Sequence, residues 1–401
     1  MFSVLAALVA CAQPVHAQTA WSTAQAENLY RWMERAESEG IDLPKAQGQH
    51  LRSAIDAGDL DLLEPIANEA ALTVLRAWRG RCCGSTKPSW WHIDGSLTDA
   101  QLRAGLTAAL EADQLDLYLR SIRPSHTHYS KLVEALTEET DPDRRKVMLA
   151  NLARWRWLPA RLGKRYLLVN IAAQELTLWE QGSLEGRWRV IVGKPVTRTP
   201  VFTTQVRGVV LNPWWEIPSS IAREGIASFV RRNPAAARAR GYVFQNGRYR
   251  QMPGDNNALG RMKLVMPNPY SVYLHDTSSR DLFREDPRYF SHGCIRVDRA
   301  LEFVGTLFAN DGWDLARVDE EVATGRTQTF ALSESLPLYV TYFTAEPDAS
   351  ASVRFLEDVY DRDPVTIAHP STSDPTEVYG SPSLLVSSTF GEVAGDLTCR
   401  N

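Results

Sequence analysis

At 401 residues the chain has room for two or three domains. Its 44% apolar and 23% charged content is ordinary for a globular protein, and a net charge of -4 excludes the basic footprint of a nucleic-acid binder. The densest basic stretch, Arg231 and Arg232 through Arg238 and Arg240, reads as a solvated helix face.

The N-terminus reads MFSVLAALVACAQPVHAQTA. Residues 2–10 have the length of a signal h-region and are too short to span a bilayer. Val15, His16 and Ala17 supply a small-x-small cleavage site before Gln18. A rival reading makes residues 8–11 a lipobox with Cys11 as a lipid anchor; the segment 14–17, purposeless in a lipoprotein, favours cleavage after Ala17. Either route exports the chain. Export permits disulfides, and the cysteines are Cys11, Cys82, Cys83, Cys294 and Cys399. Adjacent cysteines rarely bond each other, so one of Cys82 and Cys83 is expected to pair with Cys399, which leaves an odd thiol.

From residue 19 to about 163 the pattern is helical. AENLYRWMERAESEGIDLP has apolar residues at helical spacing and stops at Gly40; the stretches 59–84, 98–122 and 141–159 repeat the character. His126 and His128 lack further ligand types nearby and read as structural, not as a metal pair. At Arg165 the period changes to strands, with turns expected at Gln181 and Gly182 and again at Glu185 and Gly186. Residues 218–257 break that pattern with a helix, SSIAREGIASFVRRNPAAARARG, followed by a Gly- and Asn-rich loop. RMKLVMPNPYSVYLHDT returns to strand, DRALEFVGTLFANDG reads as a helix capped by Asp298 and stopped at Gly312, and LPLYVTYFTA is a last strand before a tail.

The chemistry concentrates in FSHGCIRV. A thiol nucleophile needs a proton acceptor and oxyanion donors. Two histidines are within range in sequence: His292, which a two-residue separation constrains, and His275 at a strand end, the more natural base. Strand alternation puts Tyr273 on the face of His275. The N–H groups of Gly293 and Cys294 are candidates for an oxyanion hole, and Arg296 for lowering the thiol pKa or binding a substrate carboxylate. Against this stand a buried cysteine acting as a small hydrophobe, and a zinc site of His275, His292 and Cys294 that lacks a fourth ligand.

His275, then Ser291, His292, Gly293 and Cys294, then Arg296, resemble the signature of the L,D-transpeptidase (YkuD) family. NLARWRWLP, RYLLVNIAAQELTLWEQG, VIVGKPVTRTPVF, LNPWWEIPSSIA and NALGRMKLVMPNPYSVYLHDT extend the resemblance over residues 150 to 312, toward the large Gram-negative branch. The resemblance implies an α+β protein: a signal peptide at 1–17, a helical scaffold domain at 18–163, a mostly β catalytic domain at 164–345 with a helical lid insertion at 218–257, and a tail at 346–401. It also implies a Cys294 thioester with a tetrapeptide stem, release of D-Ala, His275 as base, and a 3-3 cross-link in peptidoglycan. The carbonyl of Asp276 would orient the imidazole, Ser291 and His292 would hold the turn, and Tyr273, Trp214 and Arg296 would meet substrate, with Trp214 and Trp215 as apolar walls. No cofactor and no metal is implied. Expected partners are diaminopimelate-type stem peptides, carbapenem β-lactams as covalent inhibitors and cell-wall synthesis proteins, with no nucleic acid; the expected location is the periplasm. Relatives of this branch carry a peptidoglycan-binding module before NLARWRWLP, for which residues 133–146 are too short. The same nucleophile would serve an L,D-carboxypeptidase, an endopeptidase or a lipoprotein-anchoring enzyme, and a non-catalytic cell-wall scaffold is a third class. The account expects an exposed, activated sulfur at Cys294.

Overall fold

The computed structural model describes residues 21–83, 86–348 and 352–363. The expected signal segment, Cys11, Cys399 and the tail beyond residue 363 lie outside them.

Seven helices come first: α1 (Thr23–Ser38), α2 (Lys45–Ala57), α3 (Leu60–Trp78), α4 (Asp99–Glu111), α5 (Leu115–Ile122), α6 (Thr127–Glu138) and α7 (Pro142–Trp157). Their starts follow local capping chemistry: Ser22 with Gln25 and Thr98 with Gln101 form capping boxes, and the Asp59 and Asp141 carboxylates accept two N–H bonds each. Glu39 closes α1 and Gly40 takes φ +73°, the turn its sequence position promised. Their apolar faces do not share one core. α1–α5 pack around Trp21, Trp32 and Trp78, whereas Tyr129, Leu132, Met148, Leu152, Trp155 and Trp157 of α6 and α7 belong to the core of the following β domain. The core of the β domain thus reaches back before residue 163 into α6 and α7 and takes in Trp91 and Ile93 as well. α7 is exposed over its first turn but buried all round from Ala150 to Trp157, where its polar side chains find partners: Asn151 bonds Thr344, and Arg154 pairs with Asp363 at 2.6 Å. Three residues, 139–141, link α6 to α7, leaving no inserted module.

The strands are β1 (Arg165–Asn170), β2 (Glu175–Glu180), β3 (Ser183–Gly193) and β4 (Phe202–Leu211). β1 is buried on both faces because α6 and α7 cover one of them. The expected turn at Gln181 and Gly182 forms; that at Glu185 and Gly186 does not, because β3 runs through it with a bulge against β2. The insertion follows as β5 (Trp215–Glu216), α8 (Ser219–Ile221), a π turn (Ala222–Ile226) kinked at Gly225, α9 (Ala227–Arg232), α10 (Pro234–Ala239), β6 (Tyr242–Gln245) and β7 (Arg248–Gln251). The expected single helix is thus three, broken at Gly225 and at the Asn233–Pro234 step, and the expected loop holds a hairpin. β8 (Met262–Val265), β9 (Leu274–His275), β10 (Tyr289–Ser291) and β11 (Ile295–Val297) carry the chemistry.

α11 (Ala300–Leu307), α12 (Leu315–Ala323), β12 (Gln328–Thr341), β13 (Ala345–Pro347) and β14 (Val353–Phe355) complete the described chain. Asp298 does not cap α11: its carboxylate accepts from the Arg299 N–H and pairs with Arg189, while Arg299 itself enters the helix at φ +49°. The strand order is β10-β3-β11-β9-β8-β4-β12-β1-β2, and β2 pairs back onto β3, so the ladder closes on itself. The tail expected from residue 346 begins as structure: β14 pairs with β13, and Tyr360 is buried in the main core. Cys82 and Cys83 are bonded to each other, which overturns the expected pairing of either with Cys399; Cys83 reaches the adjacent sulfur with φ +60°. Among the described residues no helix is long and apolar enough to cross a membrane.

Candidate active site

The ladder around β9 assembles the site. β11 lies parallel to β9 with Ile295 opposite Leu274 and Arg296 opposite His275, and the Ile295 N–H donates to the Tyr273 carbonyl at 3.1 Å. Opposed residues share a face and alternate ones return to it. Cys294 and Tyr273 therefore share a row, and His275 and Arg296 form the next row of the same face. Across the other edge of β9, Lys263 stands opposite His275. The rings of Tyr273 and His275 meet edge to face at 6.0 Å. The structure thus brings the pair Tyr273 and His275 against the pair Cys294 and Arg296 of the neighbouring strand, and adds Lys263.

The turn before Cys294 is held by its own hydroxyl and by a loop after β3. Ser291 Oγ donates to the Cys294 carbonyl at 2.6 Å and accepts from the Gly293 N–H at 3.0 Å. That second bond corrects the oxyanion-hole expectation: the Gly293 N–H is already taken by the Ser291 hydroxyl. Gly293 takes φ +112°, which a side chain would resist. Thr199 Oγ1 accepts from the Gly193 N–H at 2.9 Å and donates to the Gly293 carbonyl at 3.0 Å; Thr197 Oγ1 donates to the Ser291 carbonyl at 3.1 Å. Beneath them Tyr360 Oη donates to the Gly193 carbonyl at 2.5 Å and accepts from the Thr199 N–H at 3.2 Å. His292 lies in this turn, half-buried, between Ser291 and Gly293.

Burial governs the electrostatics. His275 is 1% exposed, and its pKa is pushed down to about 3, by burial first and then by the Arg296 and Lys263 charges. The backbone carbonyls of Asp276 and Leu259 act on the ring in the opposite direction. The imidazole is neutral at neutral pH. Burial also pulls Lys263 and Arg296 below their ordinary values. The Asp276 carboxylate is turned to other work, accepting from the Arg261 N–H and pairing with Arg280, both at 2.8 Å. Cys294 is 3% exposed and is a disulfide cysteine in this structure, so the expected exposed thiol is corrected on both counts. Its backbone is pinned between β9 and the Thr199 loop, and thiol chemistry belongs to the reduced form.

The other expected residues divide. Trp215 is no cleft wall: it is buried with Ile217, Ile221, Ala222 and Leu259 in the small core of the insertion, against which Tyr273 packs. Trp214 is half-buried, with the Arg250 guanidinium 4.3 Å from its ring centroid. His126 caps α6, its Nδ1 accepting from the His128 N–H at 3.0 Å, and stacks on Trp155. His275, His292 and Cys294 form no metal-holding cluster among the described residues. Sequence reasoning missed Lys263, Thr199 and Tyr360. For Lys263 a signal existed, since alternation in RMKLV sets a lysine between buried Met262 and Leu264.

The strands that carry these residues lie inside a span that matches a known domain. Residues 164–329 match the L,D-transpeptidase catalytic domain and residues 13–136 match a scaffold domain. A curated Haemophilus influenzae protein provisionally named an L,D-transpeptidase is 27% identical over 283 residues, covering 64% of this chain and 57% of its own length. The chain therefore spans little more than half of that relative. Among solved structures, the L,D-transpeptidase from Mycobacterium smegmatis aligns at 14% identity over 44% of this chain and 58% of that one, with a TM-score of 0.25. The L,D-transpeptidase of the imipenem complex aligns at 12% identity over 44% and 59%, with a TM-score of 0.23. Overlaps this slight carry no weight beside the two domain matches. The chain thus carries, one after the other, a match to a scaffold domain and a match to the L,D-transpeptidase (YkuD) catalytic domain.

Proposed function

We propose that the reduced protein is a cysteine L,D-transpeptidase that forms 3-3 cross-links between peptidoglycan stems. The observation that carries this reading is the β9–β11 register, which sets Cys294 and His275 on one face inside the matched catalytic domain. The Cys294 sulfur attacks the carbonyl carbon joining the diaminopimelate L-centre to the terminal D-Ala of a tetrapeptide donor, and its proton passes to His275. Of the backbone donors expected from sequence, the Cys294 N–H is the one this reading assigns to the developing oxyanion. Collapse breaks the C–N bond; D-Ala leaves with the proton from His275, and a thioester remains on Cys294. The side-chain amine of a second stem attacks the thioester, His275 takes its proton, and the amide forms as the thiol is restored.

An imidazole depressed to about 3 is a poor base, and the charges that depress it suggest how it is brought into range. Substrate carboxylates that neutralise Arg296 and Lys263 would raise the His275 pKa, so that the base gains strength when the donor is bound. Carbapenem-type β-lactams would acylate the same sulfur. The working location is the periplasm, where the donor is found. The test is incubation of the reduced protein with disaccharide tetrapeptide: a D-Ala-releasing dimer is expected from wild type and none from Cys294→Ala. Folded, reduced wild type that forms no dimer overturns the reading.

A further inference from the structure

Lys263 has no part in the bond-making steps above, yet it occupies the catalytic face. It stands opposite His275 on β8, as Arg296 does on β11, so three side chains project in one row from adjacent strands. At about 4.8 Å per strand the two flanking residues arise roughly 10 Å apart. The Lys263 Nζ lies 4.4 Å from the centroid of the Tyr273 ring. No described carboxylate forms an ion pair with it. Glu216, whose charge reaches it, is committed to Arg250 at 2.6 Å. An ammonium half-withdrawn from water with only an aromatic face against it is under-compensated. A carboxylate brought by a ligand would complete it.

The geometry points to a particular one, given the proposed transpeptidase reading on which this inference rests. A diaminopimelate stem ending in D-Ala has two carboxylates near the scissile bond: that of the leaving D-Ala and that at the far end of the diaminopimelate side chain. Arg296 follows Cys294 on its own strand, in the row of His275, and is assigned the carboxylate of the leaving D-Ala. Tyr273 lies beside Cys294 in its row, and the same ring carries the Lys263 ammonium. A methylene chain that runs from the thioester carbon over the Tyr273 ring would meet the Lys263 ammonium on that ring. We propose that Lys263 is a specificity-determining residue that binds the side-chain carboxylate of the donor's third residue, so that the site selects stems in which that group is a free carboxylate over stems in which it is amidated.

The test compares D-Ala release by reduced wild type, Lys263→Met and Lys263→Arg on disaccharide tetrapeptides with the side-chain carboxylate free or amidated. Wild type should favour the free acid in kcat/KM. That preference should fall by about tenfold or more in Lys263→Met and return largely in Lys263→Arg, mainly through KM. If Lys263→Met slows both donors alike, leaving the ratio unchanged, the lysine merely packs on Tyr273 and the inference is overturned. Wild type that releases no D-Ala from either donor overturns the transpeptidase reading along with it.

Discussion

The turn around Cys294 and the insertion at residues 218–257 border the same site and are built in opposite ways. The turn is tied down by polar bonds from its own Ser291 and from two distant parts of the chain: Thr197 and Thr199 after β3, and Tyr360 beyond β14. Tyr360 is itself stacked on Tyr342, and the Arg362 guanidinium lies against Trp90, Tyr342 and Tyr360, so the helical half buttresses the same corner. The insertion packs on a small apolar core of Trp215, Ile217, Ile221, Ala222 and Leu259, with buried Gln251 and Asn257 bonded to its own backbone, and exposes most of its arginines. Chemistry that demands sub-ångström placement is held by many directional bonds from the main fold, whereas the segment beside Tyr273 rests on a small apolar core of its own.

Removing a bond from the rigid side should cost most. Thr199→Val keeps the shape and removes the hydroxyl that joins Gly193 to Gly293, leaving a buried N–H and a buried carbonyl unsatisfied. Acylation by a carbapenem, followed by intact mass, should slow by about a hundredfold with the fold retained; a wild-type rate would show that the turn does not depend on this clamp. Ile221→Ala trims the insertion's core instead. It should raise KM for the donor by about tenfold while the melting temperature of the barrel moves little, since the deleted contacts lie outside the main core. A large loss of global stability would mean that the two regions form one cooperative unit.

The third difference is electrostatic and smaller. Burial holds His275 near 3 and His128 near 4, while residues 218–257 contain no histidine. A depressed histidine binds its proton more weakly folded than unfolded, so stability is constant above the unfolded pKa of about 6.5 and falls as the pH drops below it. Thermal unfolding should be flat from pH 8 to about 6.5 and then lose about 1.4 kcal/mol per pH unit for each such histidine, down to about pH 4.5. A melting temperature that stays level through that window would contradict the burial of these rings as the cause.

Much of the site could be read in advance because its signals are local. Alternation in SVYLHDT set Tyr273 beside His275, and the glycine in SHGC announced a turn that needs positive φ. What could not be read was non-local. The parallel pairing of β9 with β11, which chooses His275 over His292 as the neighbour strand's contribution, is a register between segments some twenty residues apart. The Gly293 N–H was assigned to the oxyanion because nothing in the residue types says that Ser291 Oγ claims it first. α6 and α7 read like the helices before them, and only the sheet they cover moves them into the second core. Tyr360 sits where composition suggests a loop, yet its ring is buried against Tyr342 and its hydroxyl reaches Gly193.

The central claim, that the Cys294 sulfur becomes acylated by a stem peptide with loss of D-Ala, is tested most directly by trapping. Reduced protein mixed with disaccharide tetrapeptide and quenched in acid should gain the mass of the donor less D-Ala, on the proteolytic fragment that contains Cys294. An adduct on another residue, or D-Ala release that continues undiminished in Cys294→Ala, would contradict the account.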